Sequence, residues 1–162
     1  MQKAFIALGS NLQQPEQQVL KACQEIKSLP KTRLIKSSSL YRTAPVGYDD
    51  QPDFINAVVQ VETDLTPREF LRALQALENS HGRERPFPNA PRVLDLDLLL
   101  YGNMVMSTEE LTLPHPRMHE RGFVLLPLAE IAPDLKLARY GKVTELAKNC
   151  AAQGVEKMAG KK

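Results

Sequence analysis

Apolar residues in this chain fall into short runs and stripes whose spacing predicts six elements over residues 4–102. AFIALG (4–9) is an apolar run closed by glycine, a first strand, with Ser10 and Asn11 behind it as turn or capping residues. Between Pro15 and Pro30, Val19, Cys23, Ile26 and Leu29 recur at helical spacing, Leu20 and Ala22 widen the stripe, and proline stands at both ends. RLIKSSSLYRT (33–43) reads as a more polar strand, followed by the loop residues of APVGYDDQP. FINAVVQVET (54–63) alternates, so Ile55, Ala57, Val59 and Val61 share a core face while Phe54, Asn56, Val58 and Gln60 share the other. TPREFLRALQALENS places Thr66 as N-cap, Pro67 at the first helical position and Glu69 in a capping box, ahead of Phe70, Leu71, Leu74 and Leu77. HGRERPFPNAPR (81–92), with a glycine and three prolines, predicts a long functional loop before the strand RVLDLDLLLYG.

The resulting order, β-α-β-β-α-β, predicts an α+β fold of the ferredoxin-like kind, an antiparallel sheet with helices on one face and the other face free. Residues 103–135 add a turn and a short helix from about Arg117 to Ile131, and 136–162 form a C-terminal extension with one weak helical pattern. At 162 residues the chain is read as a single domain, 1–162, large enough for a core without disulfides. Its 43% hydrophobic and 25% charged residues match a water-soluble globular protein, and a net charge of +2 leaves any anion site to a local cluster. The N-terminal apolar run is too short and wrongly flanked for a secretory signal, which points to the cytoplasm and to Cys23 and Cys150 as structural thiols.

Two residues break the pattern of the last strand. Side chains alternate there, so Leu94, Leu96, Leu98 and Leu100 face the helices, while Val93, Asp95, Asp97 and Leu99 face the open side. Residues two apart on a strand advance about 6.6 Å, so the two carboxylates can share a cation or hold a pair of them. Hard oxygen donors in so small a number suit Mg²⁺, which takes its other ligands from water and phosphate. A solvated strand face is the competing reading, although aspartate is depleted from strands. D-x-D by itself also arises by chance and in glycosyl transferases, so the strand leaves both readings open.

Arg83, Arg85 and Arg92 upstream and Arg117 and Arg121 downstream surround the two acids with planar donors suited to phosphate oxygens. No GxxxxGK[ST] is present, and no kinase signature. His115 and His119 have the spacing of a zinc pair, but Pro114 and Pro116 oppose a helix around His115 and no third ligand is near; His115 is better read as a phosphate partner or a turn residue.

Together, LGSNL, YRTAPVG, QPDFINAV, GRER…APRVLDLDLLLYG and LPHPRMHERGFVLLPL, in this order from about Ala4 to Pro133, resemble the 6-hydroxymethyl-7,8-dihydropterin pyrophosphokinases of folate biosynthesis. That resemblance implies a ferredoxin-like enzyme that moves the terminal pyrophosphoryl unit of ATP onto the hydroxymethyl group of a reduced pterin, releasing AMP, with two Mg²⁺ ions. It implies that Asp95 and Asp97 hold the metals, that Arg83 and Arg92 act catalytically on the phosphates, and that Arg85 assists. The pterin is expected between Phe54 and Phe123, read by Asn56 and by backbone groups of Thr43, Ala44 and Val46. Leu71, Gln75, Glu78, Leu98, Thr112, His115 and Arg121 match positions at the ATP site or its junction with the pterin. Several family members carry a tryptophan in the loop where this chain has only Phe87, and Glu110 and Pro116 depart from the family pattern. ATP and the pterin are the expected partners of a monomer, with no membrane contact. A nucleic-acid module on the same fold would need paired aromatic residues on its strands, and only 6% of the residues are aromatic. A sugar-nucleotide transferase would need a larger donor domain.

Overall fold

The computed structural model describes residues 1–11, 14–43, 53–81, 94–137, 140–150 and 153–158. The first half runs β1 (Gln2–Ser10), α1 (Pro15–Lys27), β2 (Thr32–Ser37), β3 (Tyr41–Thr43), β4 (Phe54–Thr63), α2 (Pro67–Ser80) and β5 (Asp95–Tyr101). The second half adds β6 (Met106–Ser107), β7 (Thr112–Leu113), a 3₁₀ turn (Met118–Glu120), α3 (Gly122–Ile131), β8 (Lys136–Leu137), β9 (Gly141–Lys142), α4 (Val143–Lys148) and β10 (Val155–Lys157). The main sheet has six strands in the order β10-β3-β4-β1-β5, with β2 also on β4, and its pairings are antiparallel. This is an α+β fold with four α-helices among the described residues. Among these residues no helix is long and apolar enough to cross a membrane.

The strand expected over 33–43 is two strands. Ser38 turns the chain between them: its N–H donates to Val58 O at 2.9 Å, and its hydroxyl accepts from Val58 N at 3.0 Å. Both pieces remain on β4, β2 against Val59–Thr63 and β3 against Phe54–Asn56. The capping box of α2 forms as the sequence predicts, with Glu69 N donating to Thr66 Oγ1 at 3.1 Å and Thr66 N donating to Glu69 Oε1 at 2.9 Å. Val19, Ala22 and Ile26 of α1 and Phe70 and Leu74 of α2 pack on Ile55, Ala57, Val59 and Val61 of β4, the expected core face. Leu20 does not join that stripe and is 42% exposed, because a step of about 100° past Val19 carries it off the buried face.

Three expectations are corrected. The second sheet face is not free. Phe5, Ala7, Val58 and Leu99 are covered by Val124, Leu125, Leu128 and Ile131 of α3, with Val143 and Ala147 of α4 and Cys150 behind them. The sequence signal was FVLLPLAEI, apolar nearly all round, the mark of a helix buried on several sides rather than of an amphipathic surface helix. Next, the tail is structured: its apolar residues Leu137, Val143, Ala147 and Cys150 are spread over short pieces that share no single period, yet all reach this second core. Finally, Leu100 does not lie with Leu94, Leu96 and Leu98. The pairing steps from Ile6↔Leu98 to Phe5↔Leu100, so Leu99 is an extra residue, a β-bulge that returns Tyr101 to the first core and leaves Leu100 against the second.

Glu130 ties α3 to the β2–β3 corner. Its carboxylate accepts from Ser39 N at 3.0 Å, Ser39 Oγ at 2.9 Å and Tyr41 Oη at 2.8 Å. Partial burial alone would raise its pKa, but the hydrogen bonds from Tyr41 and Ser39 and the charge of Lys157 outweigh this and hold it below the ordinary value of 4.5. A carboxyl whose pKa is depressed on folding adds stability that is present above its unfolded pKa and is lost as pH falls through the folded one. Wild type is therefore expected to melt above Glu130→Gln at neutral pH, with the difference shrinking below about pH 4.5. Thermal melts of both proteins from pH 7 to pH 3 check this, and a gap that widens in acid would contradict it.

Candidate active site

β5 lies at one edge of the sheet beside β1, with Asp97 opposite Ala7 and Asp95 opposite Gly9. The aspartates are half-buried, while Leu96 and Leu98 between and beyond them are in the first core. The alternation read from the sequence therefore holds over this stretch and puts both carboxylates on the face opposite α1 and α2. They open into a cavity of about 330 Å³ lined also by Ala7, Leu8, Gly9, Thr43, Phe54, Asn56, Arg121 and Phe123. A more open hollow of about 430 Å³, at Gln14–Gln17, Arg42, Asp53 and Ile55, holds neither aspartate of the pair nor an aromatic ring.

Each wall of the cavity has a local cause. Phe54 and Asn56 sit two apart on β4 and so share its second face. Asn56 is buried and its Nδ2 donates to Thr43 Oγ1 at 3.0 Å across the β3–β4 pair. Its Oδ1 lies over Gly9, where a Cβ would stand only 2.9 Å away. Glycine inside an apolar strand signals such a close approach, and sequence reasoning that took Gly9 only as a strand terminator missed it. Gly9→Ala is expected to push the Asn56 amide aside and weaken binding of a ring read by that amide by about tenfold, with a smaller effect on nucleotide binding. Ligand titrations on both proteins test this, and unchanged ring affinity would refute it.

The opposite wall comes from the junction of the 3₁₀ turn and α3. Arg121 is extended there, with its Cζ 5.6 Å from the centroid of the Phe123 ring. His115 stands nearby on the chain that follows β7. Its N–H donates to Leu99 O at 2.9 Å and its Nδ1 accepts from Arg117 N at 3.3 Å. Burial pushes its pKa down, Asp97 opposes this, and Arg121 and Arg117 add to the lowering, for a net value below the ordinary 6.5. With Nδ1 accepting, the neutral ring carries its proton on Nε2. His119 does not pair with it; its ring stacks on Tyr140 at 3.7 Å and 6°. Among the described residues no three His, Cys, Asp or Glu side chains are grouped so as to hold a metal ion by themselves.

Glu78 has a position that sequence reasoning did not foresee. Phe70, Leu74 and Glu78 form one row of α2, four residues apart, so the carboxylate occupies the last place of a buried stripe. It is 4% exposed, and its Oε2 accepts from Leu96 N at 2.7 Å, the peptide N–H between the two aspartates. A charged residue in register with two core positions was the available signal.

Of the residues singled out from sequence, Thr43, Phe54, Asn56, Asp95, Asp97, Arg121 and Phe123 thus meet around one cavity. Leu71, Gln75, Glu78, Leu98, Thr112 and His115 are outside its lining: Leu98 is in the core, Leu71 packs partly buried against it, Gln75 is exposed on α2 and Thr112 lies in the β6–β7 pair. Ala44, Val46, Arg83, Arg85 and Arg92 fall outside the described residues. Glu110, where the family pattern is broken, pairs with Arg68 at 3.3 Å and Arg72 at 3.8 Å on α2.

The chain is 49% identical over 148 residues to the 2-amino-4-hydroxy-6-hydroxymethyldihydropteridine pyrophosphokinase of Haemophilus influenzae, covering 91% of this chain and 92% of that one. It is 43% identical over 160 residues to the protein of the same name from Pseudomonas aeruginosa, covering 99% of each. In three dimensions it is similar to a Plasmodium falciparum HPPK-DHPS crystallised with pteroate, with a TM-score of 0.74 at 14% identity over 91% of this chain. The chain spans under half of that longer protein, 42% of its length, and at this identity the likeness speaks for the fold alone. Residues 5–133 match the family model of 7,8-dihydro-6-hydroxymethylpterin-pyrophosphokinase (HPPK), and with these relatives the match establishes that the chain belongs to that family.

Proposed function

We infer that this chain carries out its family's reaction in folate biosynthesis, moving the terminal pyrophosphoryl unit of ATP to the hydroxymethyl group of 6-hydroxymethyl-7,8-dihydropterin and releasing AMP. In that reaction the hydroxymethyl oxygen bonds to the β-phosphorus, the bond from that phosphorus to the oxygen retained by AMP breaks, and the hydroxyl proton is lost. No protein nucleophile is needed; positioning and charge neutralisation carry the step. The observation that carries the reading is the combination, in one cavity, of two aromatic rings, a buried amide and a carboxylate pair. Phe54 and Phe123 would hold the flat pterin from both faces, the Asn56 amide would read its donor and acceptor edge, and backbone groups of Thr43, Ala44 and Val46 would complete that edge.

Two Mg²⁺ ions fit the donor set. Asp95 and Asp97 offer hard oxygens in a small number, the pattern of a cation that completes its shell from water and phosphate. Bound there, the ions would neutralise the triphosphate and align it with the hydroxyl. Arg121 faces the same space and would balance phosphate charge, with His115 Nε2–H as a further donor. The roles of Arg83, Arg85 and Arg92 at the phosphates, and of Leu71, Gln75, Glu78, Leu98 and Thr112 along the nucleotide, rest on the family resemblance. The sheet order β5-β1-β4 with β2 and β3 outside also supports the ferredoxin-like topology, here with a second helical layer. The reading takes the chain as one domain, working as a cytoplasmic monomer on these two substrates without nucleic acid or membrane.

Purified protein given Mg-ATP and the reduced hydroxymethylpterin is expected to release AMP in proportion to pyrophosphorylated pterin. ADP in its place, or AMP without dependence on the pterin, would overturn the reading.

A further inference from the structure

Gln153 lies in the C-terminal segment, beyond the residues 5–133 that match the family model. Its side-chain amide reaches back to the junction that carries Arg121. Gln153 Oε1 accepts from Gly122 N at 2.9 Å, and Gln153 Nε2 donates to Glu120 O at 3.0 Å. Those two groups belong to the peptide planes on either side of the Arg121 Cα. Because each plane is rigid, one amide that holds both fixes the two backbone dihedrals between them, here φ −106° and ψ 111°.

The bonds also answer a need of α3. Arg121 is the N-cap of that helix and gives it no side-chain cap, while Gly122 N is among the donors a helix start leaves without an internal partner. Gln153 supplies the missing acceptor from a distant part of the chain. The approach depends on Gly122, where a Cβ would stand 3.1 Å from Cys150 Cβ, 3.1 Å from Gln153 Oε1 and 3.4 Å from Val155 Cγ2. Gln153 is itself anchored, its N–H donating to Cys150 O at 3.0 Å, and Cys150 is buried in the second core. Two residues further on, Val155 pairs with Thr43 on the other wall of the cavity.

We propose that Gln153 is a positioning residue for the ring pocket: by clamping the backbone on both sides of Arg121 it sets the aim of the Arg121 guanidinium and of the Phe123 ring beneath it. This rests on the reading of that pocket as the pterin site. An ordinary tether of the tail would use any surface contact and would show only in stability. The clamp acts on the backbone of two cavity residues, so its loss is read in ligand affinity.

The test compares wild type, Gln153→Met, Phe123→Ala and the double variant. Pterin affinity is measured by fluorescence titration, KM and kcat by AMP release, and stability by thermal melting. Gln153→Met keeps the length of the side chain and removes both bonds. It is expected to raise the pterin Kd and KM about tenfold and, because the same clamp aims Arg121 at the phosphates, to lower kcat as well. In the Phe123→Ala background the same change is expected to add little to the pterin Kd, because both changes reach pterin affinity through that ring. Should Gln153→Met fail to fold, Gln153→Glu, which keeps the acceptor for Gly122 N and loses the donor to Glu120 O, is read in the same way. Unchanged pterin affinity in the variant, or full additivity with Phe123→Ala, overturns the proposal. Wild-type protein that binds no pterin would instead take down the functional reading on which it stands.

Discussion

Asp95→Ala and Asp97→Ala are each expected to lower pterin-dependent AMP release by at least about a thousandfold, close to 4 kcal/mol of transition-state stabilisation, while the protein remains folded. The separation of the two effects follows from where the side chains stand. Both are half-buried on the cavity side of β5, whereas the strand is held in the first core by Leu94, Leu96 and Leu98. Removing a carboxylate creates no void among the leucines that hold the strand. Stability is therefore expected to change by less than about 1 kcal/mol. Asp→Asn variants, equal in size and uncharged, are expected to lose turnover nearly as far, which assigns the loss to charge rather than shape. Turnover assays and melting curves measure these two quantities, and Mn²⁺ titration in the presence of a non-hydrolysable ATP analogue measures metal binding directly. Unfolding of both alanine variants, or activity within tenfold of wild type, would be incompatible with a metal-holding pair.

Glu78→Ala is expected to be costly in a different way. Its carboxylate is 4% exposed and takes the Leu96 N–H at 2.7 Å. The alanine variant leaves that buried donor without its charged acceptor and opens a space between α2 and β5, for a loss of about 2–3 kcal/mol. Because Leu96 lies between Asp95 and Asp97, the same loss loosens the spacing of the two carboxylates, so the metal concentration needed for half-maximal turnover is expected to rise. Glu78→Gln retains an oxygen acceptor and is expected to recover most of the stability and part of the metal affinity. Chemical unfolding and metal titrations of the two variants distinguish this from a direct role at the nucleotide. A Glu78→Ala protein as stable as wild type, with ATP affinity alone reduced, would favour the nucleotide role.

What could be read from the chain was what local geometry encodes. The capping box at Thr66 and Glu69 involves residues within one helical turn, and the two faces of β4 follow from strict alternation, so both were visible in a window of a few residues. The same alternation put Asp95 and Asp97 on one side and the leucines on the other. It failed at Leu100 because the bulge at Leu99 arises from the pairing with β1 and has no local mark. The second helical layer was missed for a related reason: the apolar surround of α3 indicated burial without naming what would bury it.

The sequence by itself therefore determined the order of elements as far as β5, apart from the break at Ser38, together with the carboxylate pair and, through five separated motifs, the family. The tertiary structure alone decided which distant residues complete the site. Gly9 makes room for Asn56, Glu78 secures the peptide between the aspartates, and Gln153 fixes the backbone around Arg121. The physical reason is that strand and helix periods are properties of neighbouring dihedrals, whereas a clearance of a few ångströms or a hydrogen bond between remote segments exists only once the sheet has closed and α3 has packed on its second face.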